Sequence, residues 1–317
     1  MLDLNNARNS ILQANDIAIA GHINPDGDSI GSLLSLGLSL EKLGKRVYMI
    51  SPDGVPQRYK RLPGAAKVVR SISKPVDLAI AVDCGSKDIL GSAYRSFESA
   101  KSILEIDHHE FRKPFGDVKL IDKKAAAVGE LVYILLKSLR AGITRRVAQN
   151  LMTSIIVETN SFRLPSVRPF TFEVCSDLVK VGVNFYDLVE MVFWSRRKES
   201  AILSGLCLAR CKFAKAGRLV WSSIHQRDFD RLKGKDEDVD PVPDEMRSIK
   251  NVKVAVLFRE KSNHKLRVSL RSKGRINVAK IAEYYGGGGH FDVAGCVIPN
   301  KMESVRGFLK RAAALLE

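Results

Sequence analysis

The chain has 317 residues, and its 45% hydrophobic and 27% charged residues are typical of a folded protein and exclude a largely disordered one. A formal charge of +16 favours polyanionic partners such as nucleic acids or nucleotides. No apolar run is long enough to cross a bilayer and the N-terminus lacks the layout of a secretory signal, so we expect a cytoplasmic protein.

Short apolar segments alternate with helical patterns in the first part of the chain. The segments that predict strands are 17–21, 46–50, 77–83 and 102–107. The patterns that predict helices are 29–43, a shorter one near 87–100, 125–139, 145–159 and 170–181. This alternation predicts an α/β domain over residues 1–185, with a mostly parallel sheet that is covered by helices on both faces.

The remaining residues predict a second, smaller α/β domain over 205–317, reached through a helical linker at 186–204. The segments that predict its strands are 218–224, 252–259 and 265–271, and its helical patterns are 276–284 and 301–316. Between them lies the acidic, proline-containing stretch KGKDEDVDPVPDE (233–245). Its composition predicts a solvated loop.

Acidic residues and histidines collect where three of the predicted strands end. The first strand leads into GHINPDGDSIGS (21–32), the third ends in AVDCGS (81–86), and the fourth ends in IDHHE (106–110). An aspartate at a strand end is usually a helix cap, but three such clusters, two of them with histidine, are hard to assign to caps. Parallel sheets bind ligands at the carboxyl ends of their strands, so we expect one shared site.

The chemistry of these side chains predicts a metal site. Mixed carboxylate and imidazole ligands suit Mn²⁺ and, less selectively, Mg²⁺, Co²⁺ or Fe²⁺. The aspartates are more numerous than one divalent ion requires. A pair of ions about 3.5–4 Å apart would use them all, and such pairs are a standard device for phosphoryl hydrolysis.

These segments resemble the motifs of a known family. GHINPDGDSIGS, AVDCGS and IDHHE are similar to the first three motifs of the DHH phosphoesterases, and GGGGHFDVAGC (286–296) is similar to the signature of their DHHA1 companion domain. The four motifs follow the family's order, so the resemblance covers nearly the whole chain. Within the family, the size of the chain and the absence of extra domains indicate the oligoribonuclease/pAp-phosphatase type, also called nanoRNase or NrnA-type.

The resemblance implies roles for the clustered residues. One ion would be held by His22, Asp26 and Asp83. The second ion would be held by Asp28, Asp83, His108 and Glu158, with Asp83 bridging the two. His109 would contact the scissile phosphate, and Asp107 would orient the neighbouring histidine.

The fourth motif is where this chain departs from the family. The family has an aspartate and a glycine in this motif, whereas VETNSFRLPS places Glu158 and Asn160 at those positions. Two alternatives follow: Glu158 ligates through its longer side chain, or it only ends a helix outside the site. Glu130 is a less favoured substitute ligand.

The glycine run before His290 is too costly for a helix interior and suits a backbone that approaches an anion closely. In the family this loop binds the phosphate or base of the substrate. Strand alternation places Arg267, Ser269 and Arg271 on one face, and Arg271 is the favoured phosphate clamp. The substrate-binding residues that the resemblance implies are Arg163, Arg267, Arg271, Ser272, Gly287, Gly288, Gly289 and His290.

The resemblance implies a metal-dependent phosphoesterase that hydrolyses short oligoribonucleotides to mononucleotides and removes the 3′-phosphate of pAp. Two alternatives remain at this point. The chain is a cyclic-dinucleotide phosphodiesterase acting on c-di-AMP or pApA, or a nucleotide-binding regulator whose catalysis has decayed, as the change at Glu158 would favour. Family members often dimerise, so a homodimer is a further expectation.

Overall fold

The computed structural model describes residues 3–110, 112–261, 263–289 and 291–316. They form two compact units, Met1–Ser195 and Arg196–Glu317. Within the described residues, no helix combines the length and the apolar character that crossing a membrane requires.

The sheet of the N-terminal unit is parallel throughout, as the sequence predicts. Its strands are β1 (Asp16–Ala20), β2 (Arg46–Ile50), β3 (Leu78–Val82), β4 (Ser102–Asp107) and β5 (Val118–Ile121). They are ordered β2-β1-β3-β4-β5, so β1, β3 and β4 are neighbours in the middle of the sheet. The sequence did not predict β5, because four residues with one lysine carry too little periodicity.

Helices cover both faces of this sheet, which confirms the predicted α/β architecture. They are α1 (Leu4–Gln13), α2 (Gly27–Lys42), α3 (Tyr94–Glu98), α4 (Val128–Ser138), α5 (Arg145–Glu158), α6 (Pro169–Lys180) and α7 (Phe185–Phe193). Alternate strand residues belong to different cores: Ile17 and Ile19 of β1 pack with α2, α4 and α5, whereas Ala18 and Ala20 pack against residues 90–97. On β1 the small side chains therefore line one face and the branched ones the other.

The sheet of the C-terminal unit is mixed. Its strands are β6 (Lys212–Ala214), β7 (Leu219–Ile224), β8 (Val254–Lys261), β9 (Lys265–Ser272), β10 (Gly288–Gly289) and β11 (Val293–Pro299). They are ordered β10-β11-β9-β8-β7-β6, and the β7–β8 pair is parallel while the other pairs are antiparallel.

The helices of the C-terminal unit also lie on both faces of their sheet. They are α8 (Lys198–Ala209), α9 (Gln226–Leu232), α10 (Val242–Ser248), α11 (Ala279–Tyr284) and α12 (Met302–Ala314). Helices α11 and α12 pack on one face, and α8, α9 and α10 pack on the other. The predicted linker helix at 186–204 is two helices here, α7 and the first half of α8, with the boundary between the units falling in the break.

The prediction of a solvated loop at residues 233–245 is wrong. A 3-10 turn at Asp236–Val239 leads directly into α10, and Val239 and Val242 are fully buried in the core beneath α8. These two valines provide apolar anchors between the carboxylates. The carboxylates themselves bond to cations of the neighbouring strands, so the acidic stretch belongs to the folded unit.

Candidate metal centre

The carboxyl ends of β1, β3 and β4 bring the three sequence clusters together. Asp83 Oδ2 lies 3.5 Å from His22 Nε2, and Asp83 Oδ1 lies 3.9 Å from His108 Nε2. Two groups of three residues each bring potential ligand atoms together, His22–Asp26–Asp83 and Asp83–His108–His109. Within each group these atoms all lie within 4.8 Å of one another. Asp83 belongs to both triplets, which is the position that a bridging carboxylate requires.

The backbone of Asp83 holds its side chain at this central position. Asp83 follows β3 with a left-handed φ of 59°, and its amide donates to the carbonyl oxygen of Ile106 at 3.0 Å. Aspartate tolerates this region better than most residues, and uncommon backbone conformations concentrate at functional sites. The left-handed turn ends the strand and leaves Asp83 only 3% exposed, with its carboxylate between the histidines.

Asp26 combines a structural contact with a position in the cluster. Its Oδ1 accepts the amides of Asp28 at 2.9 Å and Ser29 at 3.0 Å, so Asp26 is the N-cap of α2. The same oxygen lies 3.9 Å from His22 Nε2. The cap fixes the orientation of the carboxylate toward His22.

Asp28 is fully buried and is held by several donors. Its Oδ1 accepts from the Ser154 hydroxyl at 2.6 Å and the Ser32 hydroxyl at 3.1 Å, and its Oδ2 accepts from the Val128 amide at 2.8 Å. Its Oδ2 lies 3.8 Å from His108 Nε2. Helices α2, α4 and α5 therefore converge on this one carboxylate and fix it beside the second histidine.

His108 faces three carboxylates with one ring nitrogen. Its Nδ1 lies 2.9 Å from the carbonyl oxygen of Ala125, and a hydrogen bond there requires the proton on Nδ1. Its Nε2 lies 3.8 Å from Asp28, 3.9 Å from Asp83 and 3.7 Å from Glu158 Oε1. Such a bond from the other ring nitrogen is the usual way in which proteins orient a metal-binding histidine.

Glu158, the last residue of α5, places its carboxylate next to the other candidate ligands. Two residues later Asn160 has a left-handed φ of 47° at the position where the family has glycine. Asparagine is among the residues that adopt this conformation most readily, so the turn is preserved without glycine. Glu158 as a ligand stays a prediction, and its 3.7 Å distance from His108 is compatible with it.

His109 lies at the end of a buried chain of charges. Its Nδ1 lies 2.6 Å from Asp107 Oδ1, and Asp107 Oδ2 accepts from Arg112 Nε at 2.6 Å. Arg112 Nη2 lies in turn 3.1 Å from Glu105 Oε2. Neither Glu105 nor Arg112 was among the predicted site residues. The sequence carried one indication of them, a charged residue inside an apolar strand (Glu105) and an opposite charge soon after it (Arg112), because an ionised side chain that is buried needs a partner.

The electrostatics of this chain favour a positively charged His109. Burial opposes protonation, but the hydrogen bond to Asp107 and the charge of Asp83 outweigh it and raise the pKa of His109 to about 9. Burial also opposes ionisation of Asp107, but His109 and Arg112 lower its pKa to about 2. At neutral pH the pair is therefore an imidazolium held by a carboxylate.

The other carboxylates create an excess of negative charge at the strand ends. Burial and the charge of Asp83 raise the pKa of Asp28 above its ordinary value. Burial lowers the pKa of His22, yet hydrogen bonds to Asp26 and Asp83 outweigh it and raise the value to about 11. Buried oxygens that repel each other and imidazoles that attract protons are the expected signs of a site built for cations. The donor set of carboxylate oxygen and imidazole nitrogen fits Mn²⁺ or Mg²⁺.

Glu130, the less favoured substitute ligand, is committed to structural contacts. It is fully buried, and its Oε1 accepts from the Thr171 hydroxyl at 2.5 Å. Its Oε2 accepts from the Ala126 amide and from Arg168 Nη2, both at 3.0 Å. These bonds join the start of α4 to the start of α6.

Arg163 lies on the turn after α5. Its Nε donates to the carbonyl oxygen of Asn160 at 2.7 Å, and its Nη2 donates to the side-chain oxygen of the same residue at 2.6 Å. Both bonds fix the left-handed turn that follows Glu158. In this position the guanidinium stabilises the turn, and substrate binding by Arg163 stays a prediction.

In the C-terminal unit, β9 presents the predicted basic residues on one face. Arg267 is exposed and Ser269 and Arg271 are half-buried, whereas the residues between them are buried. Ser272 points to the opposite, buried side, where its hydroxyl donates to the carbonyl oxygen of Ile276 at 2.6 Å. Ser272 therefore does not share the face of Arg267 and Arg271.

The glycine run packs tightly against β11. A Cβ at Gly287 would lie 2.2 Å from the carbonyl oxygen of Gly295, and one at Gly289 would lie 2.3 Å from that of Val293. Gly288 faces open space instead. The first two positions thus require glycine for packing, and Gly288 is the one of the three that is open to a ligand. His290 lies outside the described residues.

Comparisons with known proteins match both units. The model of the DHH family N-terminal domain matches residues 16–156, and that of the DHHA1 domain matches residues 229–317. The "Bifunctional oligoribonuclease and PAP phosphatase NrnA" of Thermus thermophilus is 30% identical over 312 residues, which cover 94% of this chain and 92% of that protein. The "Cyclic-di-AMP phosphodiesterase PdeA" of Listeria monocytogenes is 25% identical over 311 residues, covering 90% of this chain and 45% of that protein.

A solved structure shares the fold of the whole chain. The structure of an exopolyphosphatase-related protein from Bacteroides fragilis superimposes with a TM-score of 0.92 at 23% sequence identity. The match covers 99% of this chain and 97% of that one. At this identity the likeness concerns the fold alone.

Proposed function

We propose a function for this chain on the basis of its family. The chain belongs to the DHH family and carries a DHHA1 domain in its C-terminal unit. It is a hydrolase that acts on phosphoester bonds. Its substrates are short oligoribonucleotides, which it degrades to mononucleotides, and pAp, from which it removes the 3′-phosphate. The observation that supports these substrates best is the 30% identity, over 94% of the chain, to a relative named for both activities.

We propose that the strand-end cluster of the N-terminal unit holds two divalent ions, with Mn²⁺ favoured over Mg²⁺ or Co²⁺. His22, Asp26 and Asp83 would hold one ion. Asp28, Asp83, His108 and Glu158 would hold the other. The convergence of these side chains and their unbalanced negative charge support this assignment. Such ions, when bound, acidify water and stabilise the negative charge that develops on phosphoryl oxygens.

The protein's own side chains then orient the phosphate and supply positive charge. We assign to His109 the contact with the scissile phosphate, because an imidazolium beside the ligand cluster donates a charge-assisted hydrogen bond to a phosphoryl oxygen. Asp107 fixes the ring through Nδ1 and keeps it protonated, and Arg112 fixes Asp107 from the other side. In hydrolysis, water adds its oxygen to phosphorus, the ester P–O bond breaks, and the leaving oxygen takes up a proton.

The C-terminal unit contributes substrate binding in this proposal. Arg271 and Arg267 lie on one face of β9, and Gly288 lies on the edge strand of the same sheet. A guanidinium binds phosphate through paired donors, and a backbone without side chains lets the phosphate approach its amides. We propose that these residues hold a phosphate of the substrate that is not being cleaved.

The proposal is tested by assaying purified protein with RNAs of two to ten nucleotides, with pAp and with c-di-AMP, in Mn²⁺ and in Mg²⁺. We expect mononucleotides from the shortest RNAs and AMP from pAp, with Asp83→Asn inactive in the same preparation protocol. Preferred cleavage of c-di-AMP would identify a cyclic-dinucleotide phosphodiesterase instead. Binding of these ligands without turnover of any of them would identify a regulator and contradict the proposed reaction.

A further inference from the structure

The basic face of the C-terminal sheet is already bonded to carboxylates of the same unit. They come from one stretch, residues 236–244, which we call the acidic segment. Asp236 Oδ2 lies 3.0 Å from Arg259 Nη1, 2.7 Å from Lys261 Nζ and 3.4 Å from Arg267 Nη1. Asp236 thus contacts cations of both β8 and β9.

The acidic segment continues along the same face with two more carboxylates. Asp240 Oδ1 lies 2.9 Å from Arg259 Nη2, and Asp244 Oδ2 accepts from Arg271 Nε at 3.0 Å. Arg259 pairs with Arg267 across the two strands, so these contacts follow the strand register and are not scattered over the surface. The segment reaches both arginines that we assign to substrate phosphate.

The ion pairs of Arg259 differ from ordinary surface pairs, which contribute little because water screens them. Arg259 is only 1% exposed, so its charge needs the carboxylates that surround it. Burial opposes ionisation of Asp236, but Lys261 and Arg259 outweigh it and hold its pKa below the ordinary value. Asp236 is therefore a charged part of the face at neutral pH.

The charges of this network nearly cancel. Four cations, Arg259, Lys261, Arg267 and Arg271, stand against three carboxylates, Asp236, Asp240 and Asp244, which leaves 4 − 3 = +1. Arg247 and Asp292 join the network through Asp244 and add one charge of each sign. The bonded network therefore retains a single net positive charge, although it contains five cations.

We propose that the acidic segment determines substrate length, by leaving the bonded network of this face with enough positive charge for one phosphate group but not for a run of phosphodiesters. This proposal rests on the proposed function, and it assigns to the acidic segment the restriction of that activity to short substrates. Proteins that bind long single strands gain affinity with every phosphate that they neutralise, and each such contact steepens the salt dependence. Here the carboxylates already occupy the donors that additional phosphates would need, and they repel those phosphates.

The chain offers a matched set of variants for the test. Asp244→Asn removes the charge opposite Arg271 but keeps an oxygen that accepts hydrogen bonds, and Asp236→Asn does the same at the centre of the network. Glu237→Gln is the control, because it removes an equal charge from the same segment while its carboxylate lies near Lys235, at 3.8 Å, and not near the strand cations. Circular dichroism and thermal unfolding verify that each variant is folded, and Asp244→Asn carries the test if Asp236→Asn destabilises the buried Arg259.

The measurement is kcat/KM for a dinucleotide and for a ten-nucleotide RNA, in the full chain, at several salt concentrations. We expect both Asp→Asn variants to raise the ratio of kcat/KM for the ten-nucleotide RNA to kcat/KM for the dinucleotide about 5-fold or more. We also expect the slope of log kcat/KM against log salt for the long RNA to become steeper by about 0.7 per charge removed. Glu237→Gln should change neither quantity. An unchanged ratio and slope in Asp244→Asn, or equal changes in Glu237→Gln, would overturn the proposal.

Binding without hydrolysis separates this inference from the proposed reaction. Fluorescence anisotropy of the same ten-nucleotide RNA, in the presence of a chelator, reports affinity even if no substrate is turned over. Tighter, more salt-dependent binding to Asp244→Asn than to the unmodified chain supports the role of the acidic segment. Equal or weaker binding contradicts it, whatever the hydrolysis assay of the unmodified chain shows about function.

Discussion

The two units place carboxylates in opposite electrostatic surroundings. In the N-terminal unit Asp28 is buried beside Asp83, and both burial and that neighbouring charge raise its pKa above the ordinary value. In the C-terminal unit Asp236 is surrounded by Lys261, Arg259 and Arg267, and its pKa is lowered. At the strand ends of the N-terminal unit, carboxylates lie next to each other with more negative charge than the neighbouring cations neutralise. In the network around Asp236, cations of the same unit neutralise the carboxylates. A cation from outside therefore suits the first, and an anion must compete with resident carboxylates at the second.

The largest effect should follow from removing the charge that is shared by both ligand triplets. We expect Asp83→Asn to lower kcat on the order of 10³-fold or more, because one neutral amide replaces the carboxylate that lies between His22 and His108. Calorimetry with Mn²⁺ should show the loss of tight binding in the same variant. Asp88→Asn, an exposed aspartate five residues later, is the control and should leave both quantities unchanged. Activity within tenfold of the unmodified chain would exclude Asp83 as a ligand.

Asp107 differs from Asp28 because a cation of the chain, Arg112, lies against it. Arg112 is 8% exposed and contacts two buried carboxylates, Glu105 and Asp107. We expect Arg112→Met to lower the free energy of unfolding by about 3–5 kcal/mol, since it leaves buried charges without a partner. Urea unfolding measures this, with the exposed neighbour Lys113→Met as the control. A loss below about 1 kcal/mol would mean that water or rearrangement compensates those charges.

Glu158 tests whether the departure from the family's aspartate has preserved the ligand set. We expect Glu158→Gln to weaken Mn²⁺ binding about 10- to 100-fold, with activity partly restored at high Mn²⁺. Glu158→Asp restores the family's residue and should bind Mn²⁺ nearly as the unmodified chain does. If Glu158→Gln binds Mn²⁺ unchanged, the carboxylate 3.7 Å from His108 is a neighbour of the site and not a ligand.

The smallest expected effect is on the free energy of unfolding and concerns an ion pair of the C-terminal unit. Arg210 donates two hydrogen bonds to Asp228 and is the main cause that lowers the pKa of Asp228 to about 2. As pH falls, the unfolded chain, with the ordinary pKa of 3.8, takes up this proton first. The stabilisation is therefore complete above about pH 4 and is lost as pH falls toward 2.

We expect Asp228→Asn to lower the free energy of unfolding by about 1–2 kcal/mol at pH 6 and by roughly half as much at pH 3. Urea unfolding at the two pH values measures the difference. Asp230→Asn, at an exposed position of the same helix, should show a smaller loss that does not depend on pH in this way. A difference that grows toward pH 3 would contradict the sign of this linkage.

The N-terminal site was largely predictable because its information is local. In a parallel sheet every strand ends at the same edge, so short strings after three strands were enough to place His22, Asp83 and His108 together. The alternation of strands and helices likewise predicted the fold of this unit. What the strings did not predict was the support of these side chains, such as Arg112 beneath Asp107, because it depends on how a loop folds back onto its strand.

The C-terminal face was less predictable because its contacts join distant residues. Asp236 meets Arg259 and Arg267 through the pairing of β8 with β9 and the packing of α10, none of which the acidic composition indicates. Composition alone therefore predicted a solvated loop where the structure has a folded, charged segment. Ser272 was among the predicted substrate-binding residues, and in the structure strand alternation turns it toward the buried side.

The proposed reaction depends on two divalent ions held around Asp83 at the strand ends of the N-terminal unit. The most direct test is anomalous difference density from crystals of the full chain grown with Mn²⁺. We predict two peaks about 3.5–4 Å apart, with the Asp83 carboxylate between them, one peak beside His22 and the other beside His108. A single peak, or none at Asp83, would contradict the two-ion site.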